Sequence, residues 1–342
     1  MSGSEELPVR FDPGMNADDR ERVLASLRRL AWPGLDEGMV ISRLPGGASN
    51  NNYLLVGRQT SAVLRVAAPD AARFGIDRSS GLATHRQVAA DAITPTLLGS
   101  HLPSGDCLTL FLDGFTIDAE SVRQPELLSS CIDLLRKTHG LAVTPGAGIG
   151  SFSASRDIDS YVTLARSEGL SLPPDIDDMV EVSRHLDPER MPFGPRLTHN
   201  DVQLANFLVD TAGRTWLLDW EYAGTGNIYF DLAMLASNAD MSEEEGEVLL
   251  RDYFASAGPV RPCDRSRLRA MVVLSALREA MWSVVAGPVM SDTGWDYQAW
   301  AERFFTKVRG ELALRGIDDL AEHAEHTADD DRVASLLYSA PS

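Results

Sequence analysis

The sequence has very few lysines: Lys137 and Lys307 are the only two among 342 residues. Positive charge is scarce overall, because 31 Lys and Arg residues face 50 Asp and Glu residues, which gives a formal net charge of −19. Such a charge argues against nucleic acid or an anionic membrane as the main partner. It suits a cationic small-molecule ligand, although an acidic surface also serves solubility.

Cysteines and long apolar runs are also rare. Three cysteines lie far apart without metal-binding spacing, so we predict reduced thiols in a cytoplasmic protein. The N-terminus, MSGSEELPVR, is acidic and lacks an apolar core, so we expect no secretory signal. The longest apolar stretch, MVVLSALREAMWSVVAGPVM, is interrupted by Arg278 and Glu279. It indicates a buried or ligand-facing helix and not a membrane span.

Two kinds of pattern divide the chain. Up to about residue 115, strands separated by a turn rich in Gly and Asn predict a small antiparallel sheet. Beyond residue 116, long periodic runs predict helices. With 342 residues, the chain is too long for one simple core. We therefore predict an α+β fold with two lobes, residues 1–115 and 116–342, and a ligand in the cleft between them.

The individual elements follow from hydrophobic periodicity and turn residues. In the second lobe, the island between residues 197 and 224 departs from the helical pattern. It holds two apolar strands, NFLVD and TWLLDW, joined by the turn TAGR. The predicted strands of the first lobe begin near residue 40, at Tyr53, at 61 and at 107. The predicted helices cover 18–32, 79–91, 121–140, 155–169, 174–186, 243–257, 265–286 and 296–314.

The segment LTHNDVQLANFLVD, residues 197–210, places five polar side chains just before an apolar strand. A loop with so much hydrogen-bonding capacity must face water, a ligand or a metal. Phosphoryl transfer to a hydroxyl requires a carboxylate near the acceptor, oxygen ligands for Mg²⁺ and a cation for the phosphates. Asp201 lies in this loop, and the hairpin can bring Asn206 close to Asp219. The alternative is an ordinary hairpin with a solvated loop.

HNDVQLANFLVD followed by LLDWEYAGTGNIYFDLA resembles the catalytic and metal-binding segments of the aminoglycoside phosphotransferase and choline kinase superfamily. The form DWEYAG is similar to the bacterial choline/ethanolamine kinase branch. The resemblance implies a protein-kinase-like fold, with a small antiparallel-sheet lobe and a larger, mainly helical lobe. It implies ATP and Mg²⁺ as cofactors, Asp201 as the catalytic base, and Asn206 and Asp219 as metal ligands. Glu221 is expected near the metal and the acceptor.

Two further residues of these segments are expected to be structural. His199 should brace the catalytic loop, and Asp231 should pin the loop through hydrogen bonds. The reaction that the resemblance implies is transfer of the γ-phosphoryl group of ATP to a hydroxyl of an amino-alcohol such as choline or ethanolamine. An aminoglycoside, thiamine or another hydroxyl compound is the alternative acceptor.

The first lobe offers candidates for phosphate binding. The turn PGGASNNNY has glycines that free the backbone and polar side chains that donate to phosphate oxygens, a weak signal because such residues fill any hairpin turn. Since the first lysine is Lys137, Arg65 is the only cation that the strand AVLRV offers for binding phosphate. An arginine in this strand resembles the choline kinase branch. The alternative is a surface arginine on an edge strand. The turn residues assigned to phosphate binding are Gly46, Gly47, Ser49 and Asn50.

The resemblance fails at one position. The family pairs the strand cation with a glutamate three residues beyond an I-[DN]-R sequence, and IDRSSGLATHR has Gly81 there. Asp77 or another carboxylate could substitute. This departure keeps a non-catalytic, nucleotide-binding pseudokinase open as a second function.

Aromatic residues of the second lobe are candidates for acceptor binding. EAMWSVV resembles a tryptophan-bearing helix of the choline kinases, which makes Trp282 the first candidate. Tyr229 and Trp295 are further candidates, since aromatic faces bind ammonium groups with ~1–2 kcal/mol each when desolvated. The alternative is that these aromatics belong to the core. A homodimer is compatible with the sequence, which does not determine the oligomeric state.

Overall fold

The computed structural model describes residues 9–44, 50–67, 71–143, 146–187, 196–290 and 295–321. The first lobe is built on a six-stranded sheet in the order β1-β2-β3-β4-β6-β5, in which only the β1–β2 pair is parallel. Its strands are β1 (Val9–Phe11), β2 (Met39–Arg43), β3 (Asn50–Val56), β4 (Ser61–Ala67), β5 (Leu97–His101) and β6 (Asp106–Leu110). Its helices are α1 (Ala17–Leu30) and α2 (Arg78–Ala90).

Helix α1 covers the apolar face of this sheet. The helix begins where the side chain of Asn16 accepts a hydrogen bond from the backbone N of Asp19 (2.7 Å), which satisfies one free amide of the first turn. Val23 and Leu27 then point into a core that includes Leu64 of the sheet. Each fully buried aliphatic side chain of this kind contributes about 1.5–3 kcal/mol.

The second lobe is mainly helical and carries two small sheets, β10-β9-β7 and β11-β8. Its strands are β7 (Gly114–Thr116), β8 (Arg196–Thr198), β9 (Phe207–Asp210), β10 (Thr215–Leu217) and β11 (Gly224–Gly226). Its helices are α3 (Pro125–Gly140), α4 (Ala154–Ser167), α5 (Ile176–Leu186), α6 (Ile228–Asn238), α7 (Glu243–Tyr253), α8 (Pro262–Ala286) and α9 (Tyr297–Ala321). Helix α8 lies at the centre and packs against α4, α5, α6 and α9.

The α+β fold of two lobes is as predicted, and most elements agree within a few residues. Several features differ, and strands β1 and β7 were not predicted. Helix α6 was not predicted, because it is buried on all sides and therefore shows no amphipathic period. Strand β5 and the β8–β11 pair were also missed; β8 and β11 have three residues each, and a strand that short is stabilised by its pairing. The predicted boundary at residue 115 falls inside β7, which pairs with β9 of the second lobe.

The structure also bears on the membrane and cysteine predictions. Among the residues that the structure describes, none of the helices combines the length and the apolarity needed to span a bilayer. The cysteines are free thiols; Cys107 and Cys131 are buried and Cys263 is partly exposed.

Candidate active site

The polar loop between β8 and β9 is hydrogen-bonded to one buried carboxylate, that of Asp231. Asp231 of α6 accepts hydrogen bonds from the backbone N of His199 (2.8 Å) and of Asn200 (2.8 Å). His139 Nε2 lies 3.0 Å from the same carboxylate, and Asp231 and His139 are completely buried. Asn200 has a φ of 62°, a left-handed conformation that asparagine tolerates better than most residues. The loop is therefore pinned as predicted for Asp231, and its shape does not depend on solvent.

His199 braces the loop from the other side. Its Nε2 donates to the carbonyl oxygen of Leu218 (2.7 Å), and its Nδ1 accepts a hydrogen bond from the backbone N of Asp201 (3.3 Å). Burial lowers the pKa of His199, which favours the neutral ring that these two bonds require. The ring edge also packs against Trp220, with centroids 4.7 Å apart. These contacts confirm the bracing role and leave Asp201 facing the cleft.

The β9–β10 hairpin brings the two predicted metal ligands to the same place. The side-chain amide of Asn206 donates to the carbonyl oxygen of Asp201 (3.0 Å), so that its amide oxygen stays available as a ligand. The backbone N of Leu218 donates to the carbonyl oxygen of Asn206 (2.8 Å) and aligns the end of β10 with the loop. Asp219 follows with a φ of 61°, a strained conformation, and it lines the same cavity as Asn206.

These side chains line one cavity of ≈ 430 Å³, whose lining residues all belong to the second lobe; Asp219 connects it to Arg65 of the first lobe. Carboxylates dominate its charge: among the described residues, five acidic side chains and one guanidinium, that of Arg278, line it, and Arg65 pairs with two of these carboxylates from the first lobe. Four aromatic side chains form one wall. The acidic residues are Asp118, Asp201, Asp219, Glu221 and Glu279. The aromatic residues of the wall are Trp282, Trp295, Tyr297 and Trp300.

The crowding of carboxylates changes the acidity of Asp201. Burial raises the pKa of Asp201 well above its usual range, and the neighbouring Glu279 carboxylate raises it further. Arg278 opposes both effects. Burial likewise raises the pKa of Glu279, against Arg278 and a hydrogen bond from Gln203. A carboxylate with a raised pKa is a stronger proton acceptor, which suits the role predicted for Asp201.

The sequence-based predictions missed Glu279. Its Oε2 accepts a hydrogen bond from Gln203 Nε2 (3.1 Å), and its Oε1 lies 3.6 Å from Arg278 Nη1. Arg278 is chiefly paired with Asp157, to which its Nε donates (2.9 Å), and its guanidinium lies 4.5 Å from the ring centroid of Tyr222. One negative charge is therefore left over in this group. The signal was present in the sequence, because a charged pair inside an apolar helix usually faces a site or a partner.

Of the three aromatic residues predicted to bind the acceptor, two line the cavity and one does not. Trp282 and Trp295 line the cavity; Trp282 is partly buried and donates from Nε1 to the hydroxyl of Tyr222 (3.1 Å), and Trp295 is 55% exposed. Tyr229 does not line it, which corrects the assignment of this residue to the substrate. Tyr229 is completely buried, and its hydroxyl donates to Asp264 (2.8 Å) in the core behind α6. Its position at the start of α6 turns the ring inward.

The first lobe contributes a cation and an amide to the cleft. Arg65 lies on β4, between β3 and β6, and is therefore not on an edge strand. It is ion-paired with Asp219, and its Nη1 is 3.7 Å from Glu221 Oε2. Asn50 donates from Nδ2 to the same oxygen of Glu221 (2.8 Å). The predicted phosphate-binding residues Gly46, Gly47 and Ser49 lie outside the described residues.

The donor set of Asn206 and Asp219 fits magnesium. In the described part of the chain, no group of three or more His, Cys, Asp or Glu side chains is arranged to hold a metal by itself. Mg²⁺ commonly binds through one or two protein oxygens and completes its octahedron with phosphates and water. One carboxylate and one amide oxygen beside the loop match that pattern.

The sequence of this chain is similar to those of known proteins. Residues 40–270 match the model of the phosphotransferase enzyme family. The chain belongs to this family. Among curated relatives, protein LicA of Haemophilus influenzae is 26% identical over 215 residues, which are 61% of this chain and 61% of LicA.

Solved structures of the family share the fold. A choline/ethanolamine kinase family protein from Mesorhizobium loti has a TM-score of 0.67 at 23% identity, over 94% of this chain and 99% of that chain. LicA in complex with AMP has a TM-score of 0.61 at 18% identity, over 79% of this chain and 93% of that chain. These likenesses establish the protein-kinase-like architecture for this member of the phosphotransferase family.

Proposed function

We propose that this protein is a Mg²⁺- and ATP-dependent kinase that phosphorylates the hydroxyl of a cationic amino-alcohol such as choline or ethanolamine. The observation that carries the proposal is a single cavity that combines Asp201, the oxygen donors Asn206 and Asp219, and an aromatic wall with an excess of carboxylates. An excess of negative charge repels an anionic acceptor and attracts a cationic one. The structural likeness to a choline/ethanolamine kinase family protein supports the same choice.

In this proposal the chain provides position and electrostatics, which is what phosphoryl transfer needs. Asp201 accepts a hydrogen bond from the acceptor hydroxyl, orients its oxygen towards the γ-phosphorus and takes its proton. Asn206 and Asp219 would hold Mg²⁺, which would neutralise charge on the transferred phosphoryl group. Arg65 and Asn50 face the phosphates from the first lobe.

The acceptor's cationic end would lie against α8. Trp282 presents an indole to the cavity, and Glu279 presents the carboxylate whose charge Arg278 does not fully neutralise. A desolvated ammonium gains both the aromatic face and a nearby counter-charge there. The hydroxyl end then reaches Asp201, which belongs to the same cavity wall.

Two rival functions stay open to experiment. Thiamine, an aminoglycoside or another hydroxyl compound could occupy the same cavity as acceptor. A non-catalytic nucleotide-binding protein is suggested by Gly81, although Asp201, Asn206 and Asp219 all lie in one cavity, which a degenerate site has no need to maintain. A cytoplasmic location, the absence of nucleic-acid and membrane partners, and a homodimer remain predictions.

A substrate screen tests the proposal. The purified protein is incubated with ATP, with or without Mg²⁺, and with choline, ethanolamine, thiamine or an aminoglycoside, and phosphorylated product is measured by mass spectrometry. We expect Mg²⁺-dependent turnover of an amino-alcohol. The Asp201→Asn variant should keep nucleotide binding and lose activity by ~10²–10⁴-fold. Turnover only of thiamine or an aminoglycoside would refute the acceptor, and nucleotide binding without any turnover would support the non-catalytic alternative.

A further inference from the structure

Helix α2 lies directly against the main chain that follows β10. A Cβ atom added at Gly81 would be 3.0 Å from the carbonyl oxygen of Trp220 and 3.2 Å from Cα and the carbonyl oxygen of Glu221. The obstacle is backbone, which cannot move aside as a flexible side chain would. A carboxylate at position 81 therefore requires the helix and this segment to move apart by a few tenths of an ångström.

The rest of α2 does not supply that carboxylate either. Its sequence, RSSGLATHRQVAA, contains no acidic residue. The carboxylate of the N-cap residue Asp77 accepts hydrogen bonds from the backbone N of Ser79 (2.9 Å) and Ser80 (3.1 Å) and so serves the helix end. The hydroxyl of Ser80 donates to the carbonyl oxygen of Ala223 (3.0 Å), which fastens α2 to the second lobe through a neutral contact.

Glu221 carries the charge that α2 lacks. Its side chain is only 7% exposed and enters the cleft from the second lobe. One oxygen, Oε2, accepts the hydrogen bond from Asn50 on β3 and lies 3.7 Å from Arg65 on β4. A single carboxylate thus contacts two adjacent strands of the first lobe, beside the point where α2 meets its backbone.

We infer that Glu221 is the positioning residue for Arg65 and takes the place of a helix carboxylate that Gly81 excludes. The inference rests on the proposed function, since Arg65 is positioned for nucleotide phosphates. It also changes the expected role of Glu221, from a neighbour of the metal and the acceptor to the anchor of the phosphate-binding cation.

The need for a second carboxylate follows from the pairing of Arg65. Arg65 is ion-paired with Asp219, which is the only carboxylate among the two proposed metal ligands. A divalent cation held by Asp219 would compete for that carboxylate and would leave Arg65 available to the phosphates. A guanidinium has five N–H donors and can keep one ionic contact while it forms another. Glu221 supplies the contact that lasts through this exchange.

A double-mutant cycle tests the inference with ADP as the probe. Calorimetry measures the dissociation constant of ADP for the unmodified protein, Glu221→Ala, Arg65→Ala and the double variant, each with and without Mg²⁺. We expect Glu221→Ala to raise the constant by ~10-fold with Mg²⁺ and by less without it, because Arg65 then keeps Asp219 as a partner, and to have little further effect once Arg65 is absent. Glu221→Gln keeps the side-chain length if the alanine variant is unstable. Glu168→Ala, which breaks an Arg–Glu pair with Arg73 away from the cleft, should leave ADP binding unchanged.

Three outcomes would overturn the inference. Tighter ADP binding in Glu221→Ala would mean that Glu221 merely repels the phosphates. Additive effects of the Glu221 and Arg65 changes would mean that the two residues act independently. A loss that needs Mg²⁺ and persists in the Arg65→Ala background would make Glu221 a metal ligand. If the unmodified protein binds no ADP, the proposed function itself fails, which is a different result from failure of the coupling.

Discussion

Two helices border the cleft from opposite lobes and contribute opposite things to it. Helix α2 brings no carboxylate, and through Gly81 it presses its backbone against Trp220 and Glu221. Helix α8 buries two charged side chains, Arg278 and Glu279, in the wall of the cavity. The contact at Gly81 of α2 limits how closely the two lobes approach. The charged residues of α8 determine whether the cavity favours a cationic or an anionic ligand.

Helices α2 and α8 lie at two different ends of one site. At the α2 end, Arg65 and Asn50 are held by Glu221, which suits the phosphates of a nucleotide. At the α8 end, the residual charge of Glu279 beside Trp282 suits a cationic acceptor. A change on α8 should therefore alter acceptor kinetics, and a change on α2 should alter stability and nucleotide binding. The following predictions test this division.

The largest expected effect is on α8. Glu279→Ala should lower kcat/KM for the cationic acceptor on the order of 100-fold, because loss of a buried charge partner costs about 2–5 kcal/mol. The dissociation constant of ADP should not change. Steady-state kinetics with the acceptor found in the screen and calorimetry with ADP provide the two measurements.

Glu302→Ala is the matched control for this change. Glu302 is an exposed glutamate on α9, 3.5 Å from Arg309, and its removal should alter neither quantity. Equal losses of acceptor turnover and ADP affinity in Glu279→Ala would show that α8 does not act on the acceptor end alone.

A pH effect is expected on α2. Burial lowers the pKa of His85 to about 4 from 6.5, and among the described residues its Nε2 has no hydrogen-bond partner. The unfolded chain then binds the proton more readily, so stability from this group is present above pH 6.5 and is lost as the pH falls towards 4. Between pH 7 and pH 5 we expect the unfolding free energy to drop by about 2 kcal/mol from His85 alone. Urea unfolding at both values measures this drop.

His85→Asn removes the titrating group and should flatten that pH dependence. His185→Asn, on an exposed position of α5, should leave the dependence as in the unmodified protein. An identical pH slope in the His85 variant would show that other groups control acid stability.

The next effect is on the aromatic wall. Trp282→Ala should raise KM for the acceptor by ~10-fold and leave KM for ATP nearly unchanged, because only the ammonium contacts the indole. Trp282→Phe should be intermediate. A lower melting temperature together with an unchanged acceptor KM would assign Trp282 to packing against Phe74 and Tyr297, its ring neighbours at 6.0 and 6.1 Å.

The smallest effect concerns Gly81. Alanine normally favours a helix over glycine by about 0.5–1 kcal/mol, but overpacking against backbone costs about 1–3 kcal/mol. Gly81→Ala should therefore destabilise the protein by about 1 kcal/mol in chemical unfolding. Gly310→Ala on α9 is the control, and we expect it to stabilise the protein, because in the described part of the chain no atom outside the backbone of its own helix lies within 4 Å of the added Cβ. Stabilisation of both variants would mean that α2 is not in tight contact with the second lobe.

The sequence by itself determined the two-lobed fold and the set of polar residues in the loop. Alternating and helical periods are local properties, and so are the turn residues that join β9 to β10. Because that hairpin is short, the spacing of Asn206 and Asp219 already constrains them to the same side of the cleft. Asp201, in the same loop, was therefore predictable from the chain alone.

Only the tertiary structure determined which residues from other elements pack against that loop and face it across the cleft. The sequence showed Gly81 as a missing glutamate, whereas the fold shows a backbone contact and a carboxylate, Glu221, arriving from the other lobe. For the same reason Tyr229, which was predicted at the acceptor, lies in the core, and Glu279, which was not predicted as a site residue, lines the cavity. Whether an aromatic ring or a charge points to a cavity depends on helix rotation and on the neighbours of that helix, and these are set by packing between elements distant in sequence.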